Sequence, residues 1–167
     1  MRRSATDVGA GPAAVERPPS RPLSRAVAAG LLYLAGSAVT VGLWAQLAPR
    51  SFYDDFPGVR RFWVSLDGPY NEHLIRDIGG LNLSLALLTM AAVGLRASGL
   101  APLAAGCWLV YGFPHLGYHL THLAPYEPVD AAAQAAALAT QVLVPLLVLA
   151  VHLRPGWHRD RMTRSAA

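Results

Sequence analysis

The sequence predicts an all-α fold: an integral membrane four-helix bundle with an aromatic-rich outer loop. Three observations carry that expectation. Charged residues make up 14% of the chain, against about 25% in an ordinary soluble domain. Hydrophobic residues make up 53%, and mean hydropathy is +0.32 although both ends of the chain are polar. The apolar residues also come in blocks, with no Arg, Lys, Asp or Glu in 26–48, 97–126 or 131–153. This composition excludes a soluble enzyme and a disordered chain. The net charge of +4 comes from arginine alone, since lysine is absent. Its distribution around the apolar blocks is that of a membrane topology signal and not of a nucleic-acid surface.

Taken in order, residues 1–24 carry Pro12, Pro18, Pro19 and Pro22 among small and basic residues and are expected to form a disordered cytoplasmic tail. The transmembrane domain is expected over 25–153. Its first span is 26–48, too long for the ~7–15-residue apolar core of a cleaved signal. The outer loop 49–73 reads PRSFYDDFPGVRRFWVSLDGPYNEH, with turn signals at Pro57-Gly58 and Asp67-Gly68-Pro69. Its Phe52, Tyr53, Phe56, Phe62, Trp63 and Tyr70 suit a membrane–water boundary, and short interfacial helices are expected on either side of Pro57. The second span is about 74–95. The third, about 100–123, carries Pro114 and Gly117, and the fourth, 131–153, carries Pro145. Both prolines should kink or interrupt their helices. Residues 154–167 form a basic cytoplasmic tail.

Orientation follows from short-loop arginines. With the N-terminus inside, ten arginines lie on the cytoplasmic side (those before residue 26, Arg96 and those after residue 153), against Arg50, Arg60 and Arg61 outside. Both termini are therefore expected in the cytoplasm. Heavy use of Ala and Arg without Lys points to a GC-rich bacterial genome, and so to a bacterial inner membrane. Cys107 is the only cysteine, which excludes an internal disulfide and thiol–disulfide exchange. Ala38-xxx-Gly42 and the Ala131–Ala139 run predict close helix packing. No internal repeat supports an inverted-repeat transporter.

Candidate chemistry gathers in the expected outer half. Glu72, His73, Arg76 and Asp77 open span two, with Glu72–Arg76 and His73–Asp77 each four apart. His115, His119 and His122 close span three at helical spacing. Two polar strips on consecutive spans are thus expected to meet at one depth, with Asp54 and Asp55 capping them from the loop. Ionisable groups inside a span cost ~2.5–3.5 kcal/mol each, so they face the interior and pair. They either lock the helices together or form a site. As a site, His115, His119, His122 and His73 suit a transition metal, one His from each of two spans suits haem b, and a His, Arg and Tyr lining suits a lipid-soluble molecule such as a quinone or lipid head group. The leading expectation is an accessory or small-ligand-binding membrane protein. The alternative is a metal- or haem-dependent membrane redox enzyme using the same residues, and a third reading is a partner that helps a larger membrane complex assemble.

The segment Glu72-His-Leu-Ile-Arg76-Asp-Ile-Gly79-Gly80 runs from acid through Arg and Gly-Gly into an apolar helix, after an aromatic loop with Pro49 and Phe52. In this it resembles the small bacterial four-helix membrane proteins of the DoxX-like type. The resemblance implies a four-helix bundle and carries no activity.

Overall fold

The computed structural model describes residues 23–58, 61–95 and 99–153. Residues 1–22 of the expected tail 1–24, the basic tail 154–167, and Arg60 and Arg96 lie outside the described residues. The described chain is mostly helical: α1 Arg25–Leu47, α2 Pro49–Asp55, α3 Glu72–Leu95, α4 Leu100–Thr121 and α5 Pro128–His152. Among them, α1, α3 and α5 are long and apolar enough to cross a membrane. Helix α4, at 22 residues, is not among these three; it carries Trp108, Tyr111, Pro114, His115, Tyr118 and His119.

Four of the five described helices start where local chemistry provides for their free N–H groups. The Ser24 hydroxyl accepts from the Val27 N–H at α1, and the Asn71 amide oxygen accepts from the Leu74 N–H at α3. Pro49 and Pro128 sit at the first positions of α2 and α5, where no donor is needed. The second interfacial helix expected after Pro57 does not form. Pro57–Gly58 (β1) instead pairs antiparallel with Arg61–Phe62 (β2), and Gly58 at φ +96° turns the chain away from helix.

Helices α1 with α3, and α4 with α5, make the two extensive interfaces, and the pairs meet along narrower seams. Small residues set the first interface. A Cβ on Gly42 would lie 2.7 Å from Leu83 Cγ and 3.0 Å from the Gly79 carbonyl oxygen, and one on Gly79 would lie 3.1 Å from the Gly42 carbonyl oxygen. Ala38, one turn before Gly42, is fully buried, in keeping with its expected packing role. The Ala131–Ala139 run contributes less than expected, since its buried members are Gln134 and Leu138. Helix α4 approaches α5 through Gly112, whose Cβ position is 3.0 Å from the Gln141 carbonyl oxygen. Pro145 has no N–H to offer that carbonyl. Neither Pro114 nor Pro145 interrupts its helix.

The core is layered along the helices. Val27, Leu31, Ala92, Ala104, Ala105 and Val148 form one layer, and Leu34, Ala38, Leu85, Ala86 and Trp108 the next. Ala45, Phe52 and Ile75 pack beneath α2. Trp108 is fully buried with its Nε1–H donated to Thr89 Oγ1 at 2.9 Å across α3 and α4. Tyr33 and Thr140 bond at 2.8 Å across α1 and α5. Each seam thus carries a polar pin.

Candidate functional site

The polar residues expected as one constellation form two separate groups at the α2 end of the molecule. The first faces α1. Arg76 is held by Glu72 at 2.8 Å and also donates to the Gln46 carbonyl, while the Gln46 amide donates back to the Arg76 carbonyl. Because α1 ends at Leu47, the Gln46 carbonyl lacks a helical partner, and Arg76 supplies one. His73 and Asp77 pair at 3.4 Å with side chains 88% and 61% exposed. The two pairings thus match the four-residue spacings, but they staple α3 to α1 and to itself.

The loop acids are likewise engaged away from the histidines. Asp54 accepts twice from Arg50, at 2.6 and 3.0 Å, and the guanidinium lies 5.6 and 5.0 Å from the Tyr53 and Tyr70 rings. Asp55 accepts from the Ser51 hydroxyl. Neither caps the α4 histidines. That position belongs to Asp67, whose Oδ2 is 3.9 Å from His119 Nδ1 and whose Oδ1 accepts from the Tyr126 hydroxyl at 2.7 Å. Tyr126 also bonds to the Trp63 carbonyl at 2.9 Å. Burial pushes its phenol up to about 12, and its bond to Asp67 adds to the rise.

The second group lies between α4, α5 and this part of the loop. The rings of Tyr111, His115 and His119 succeed one another down α4, each pair of centroids 5.0 Å apart. Asn82 of α3 sits beside Tyr111, and Gln134 of α5 sits beside His119 and Tyr126. What sets this group apart is unmet hydrogen bonding. On α4 and α5, His115 Nδ1, His119 Nδ1, Gln134 Oε1 and Gln141 Oε1 are buried without a partner, as is Nε1 of Trp63 in the loop, whose ring packs on Phe56. A neutral group left in that state costs about 1–3 kcal/mol, so five in one molecule call for a physical reason.

Of the expected site residues, His115 and His119 belong to this row. His122 does not. Helix α4 ends at Thr121, so the helical spacing no longer applies, and the His122 ring stacks on Tyr118 at 4.1 Å. Its Nδ1 lies 2.8 Å from the Tyr118 carbonyl oxygen. His73 is on the exposed side of α3. Among the described residues no three His, Cys, Asp or Glu side chains are grouped to hold a metal ion. The donor set therefore does not fit the metal expected at His115, His119, His122 and His73. With His73 turned outward and paired to Asp77, the haem arrangement of one axial His from each of α3 and α4 does not fit either. Asp67, Trp63, Tyr126, Asn82, Gln134 and Gln141 were not legible as site residues from charge and histidine spacing. The available signal was an uncharged one: Gln134 and Gln141 are seven apart, two turns of one face, inside an otherwise apolar helix.

A small, mostly apolar crevice lined by Leu23, Val27, Ala101, Val148 and Val151, together with Ser24 and His152, lies at the opposite end. In comparisons with known proteins, no family model, no curated protein and no solved structure matches this chain.

Proposed function

We propose that the chain is a four-span protein of a bacterial inner membrane, both termini cytoplasmic, that binds a small lipid-soluble molecule through the polar row between the outer ends of α4 and α5. Three helices with the length and apolarity of spans support the membrane reading. Helix α4, packed against both α3 and α5, serves as the fourth span, with Trp108 turned to α3 and His119 to α5. The arginine asymmetry supports the orientation.

The observation that carries the binding reading is the set of buried, unpartnered polar atoms at His115 and His119 of α4 and Gln134 and Gln141 of α5. A protein gains nothing in stability from such groups, and apolar residues in their place would pack better. A ligand that satisfies them accounts for their presence. On this reading the 72–80 segment, which resembles the DoxX-like proteins, contributes the clasp between α1 and α3 and not the ligand site.

The test is to purify the full chain in mild detergent, extract it, and identify what is released by mass spectrometry, with metal content and a visible spectrum on the same sample. The expected result is an organic molecule near equal stoichiometry, lost in a folded His119→Ala variant. Identical extracts from both proteins would overturn the proposal. Stoichiometric metal, or haem absorbance, lost with His119→Ala would replace it with the redox-enzyme reading.

A further inference from the structure

The unpartnered atoms have a chemical polarity that narrows what can occupy them. Gln134 Oε1 and Gln141 Oε1 only accept hydrogen bonds, and both lack a donor at bonding distance, Gln134 lying beside His119 and Tyr126. His115 and His119 Nδ1 take either role according to tautomer. Burial is deep at the centre of the row: Gln134 is 4% exposed and His119 8%. The two glutamines are spaced about 10 Å along α5, at ~1.5 Å per residue, and the two histidines about 6 Å along α4. One face of each helix thus offers acceptors and two-way groups at more than one depth.

Among the described side chains, formal charge lies at the mouth of the row and not along it. Asp67 stands there with a side chain 27% exposed, already engaged by the Tyr126 hydroxyl, and Glu127 and Asp130 open α5. Of the arginines whose side chains are described near this end, Arg50 is committed to Asp54 and Arg76 to Glu72 and Gln46. A charged ligand head carried inward from Asp67 would lose its hydration without a counter-charge to replace it. Acceptor-only heads, such as esters, ethers and carboxylates, would leave both glutamine oxygens unmet. A hydroxyl donates and accepts, so it answers every group in the row.

Resting on the ligand-binding reading above, we infer that the occupant is an uncharged, membrane-soluble molecule whose head carries hydroxyl groups, donated to Gln134 and Gln141 and accepting from a histidine. The Asp67–Tyr126 contact closes the row at the loop side. The exposed apolar residues flanking the row, Phe113, Leu120, Val129 and Leu143, leave the ligand's apolar part a lipid-facing surface.

The experiment uses the full chain in lipid nanodiscs with isotope-labelled glutamine and histidine. Side-chain amide resonances are assigned through Gln134→Leu and Gln141→Leu. Four probes share one acyl chain length: monododecanoylglycerol, methyl dodecanoate, dodecanoate and dodecylamine. The expected result is a saturable shift of the Gln134 and Gln141 amides with monododecanoylglycerol. The other three should bind at least about tenfold more weakly, the equivalent of one lost hydrogen-bond partner. The shift should vanish at the remaining glutamine in Gln134→Leu, with Gln141→Leu as the second variant should the first fail to fold. Equal or tighter binding of the ester or either charged probe would overturn the inference and leave the ligand-binding reading standing. Amides that cross-relax with water protons, undisturbed by any probe, would sink both readings, because water alone would then fill the row.

Discussion

Replacing Gly42 by alanine sets two opposing effects of known size against each other. Removing glycine from a helix interior gains about 1 kcal/mol. Against that, the new methyl group would sit 2.7 Å from Leu83 Cγ and 3.0 Å from the Gly79 carbonyl oxygen. Leu83 can rotate away, but the carbonyl is backbone, so α1 and α3 must separate by a few tenths of an ångström. Overpacking of that kind costs about 1–3 kcal/mol, and separation also lengthens the Arg76–Gln46 clasp just beyond. The net expectation for Gly42→Ala is a loss of up to about 2 kcal/mol. Gly36, on the same helix with nothing within 4 Å of its Cβ position, gives the control: Gly36→Ala should gain about 1 kcal/mol. Denaturant unfolding in mixed micelles, followed by circular dichroism, reads both. Two variants of equal stability, or a stabilised Gly42→Ala, would refute the claim that a glycine contact sets the α1–α3 interface.

Other expectations follow from the same geometry. Thr89→Val keeps shape but strands the buried Trp108 Nε1–H, and should cost about 1–3 kcal/mol in the same unfolding assay, while Thr89→Ser should cost less. Arg76→Gln removes the partner of the α1 C-terminal carbonyl and should lower stability by about 1 kcal/mol, with the His73→Ala change near zero because that pair is exposed. Tyr126 bears on alkaline stability. Its folded phenol is raised from 10.0 to about 12, so its contribution is complete below the unfolded value of 10.0 and disappears as pH rises through about 12. Ultraviolet titration should show a late-ionising tyrosine that is missing in Tyr126→Phe. For topology, a membrane-impermeant maleimide applied to intact cells should label Ser65→Cys, made on a Cys107→Ala background, and labelling only after lysis would reverse the proposed orientation.

Much of the helical frame was legible because it rests on local chemistry. The four expected spans begin and end within a few residues of α1, α3, α4 and α5, since Ser24, Asn71 and Pro128 mark starts that hydropathy also marks. The Glu72–Arg76 and His73–Asp77 pairs were legible for the same reason, being one helical turn apart. Which neighbour each pair faces was not. That depends on Gly42 and Gly79 bringing α1 against α3, so that Arg76 meets Gln46 and not the α4 histidines. Helical spacing groups His122 with His115 and His119 only as far as the helix runs, and α4 ends at Thr121. Which loop acid reaches His119 depends on the path from Phe56 to Tyr70, and the Gly58 turn and the Pro57–Phe62 pairing bring Asp67 there and not Asp54. Gln134 and Gln141 carry no charge to mark them, yet in an apolar interior an unpaired amide is already costly.

The central claim is that the row along α4 and α5 is kept polar for a ligand and not for the fold, and stability of Gln134→Leu tests it most directly. Leucine has nearly the volume of glutamine and no polar atom to satisfy. If the row serves binding, the ligand-free variant should be more stable than the parent by about 1–3 kcal/mol while the co-purifying molecule is lost. A Gln134→Leu protein that is less stable than the ligand-free parent, or one that retains the bound molecule, would contradict the account and make the row a structural network.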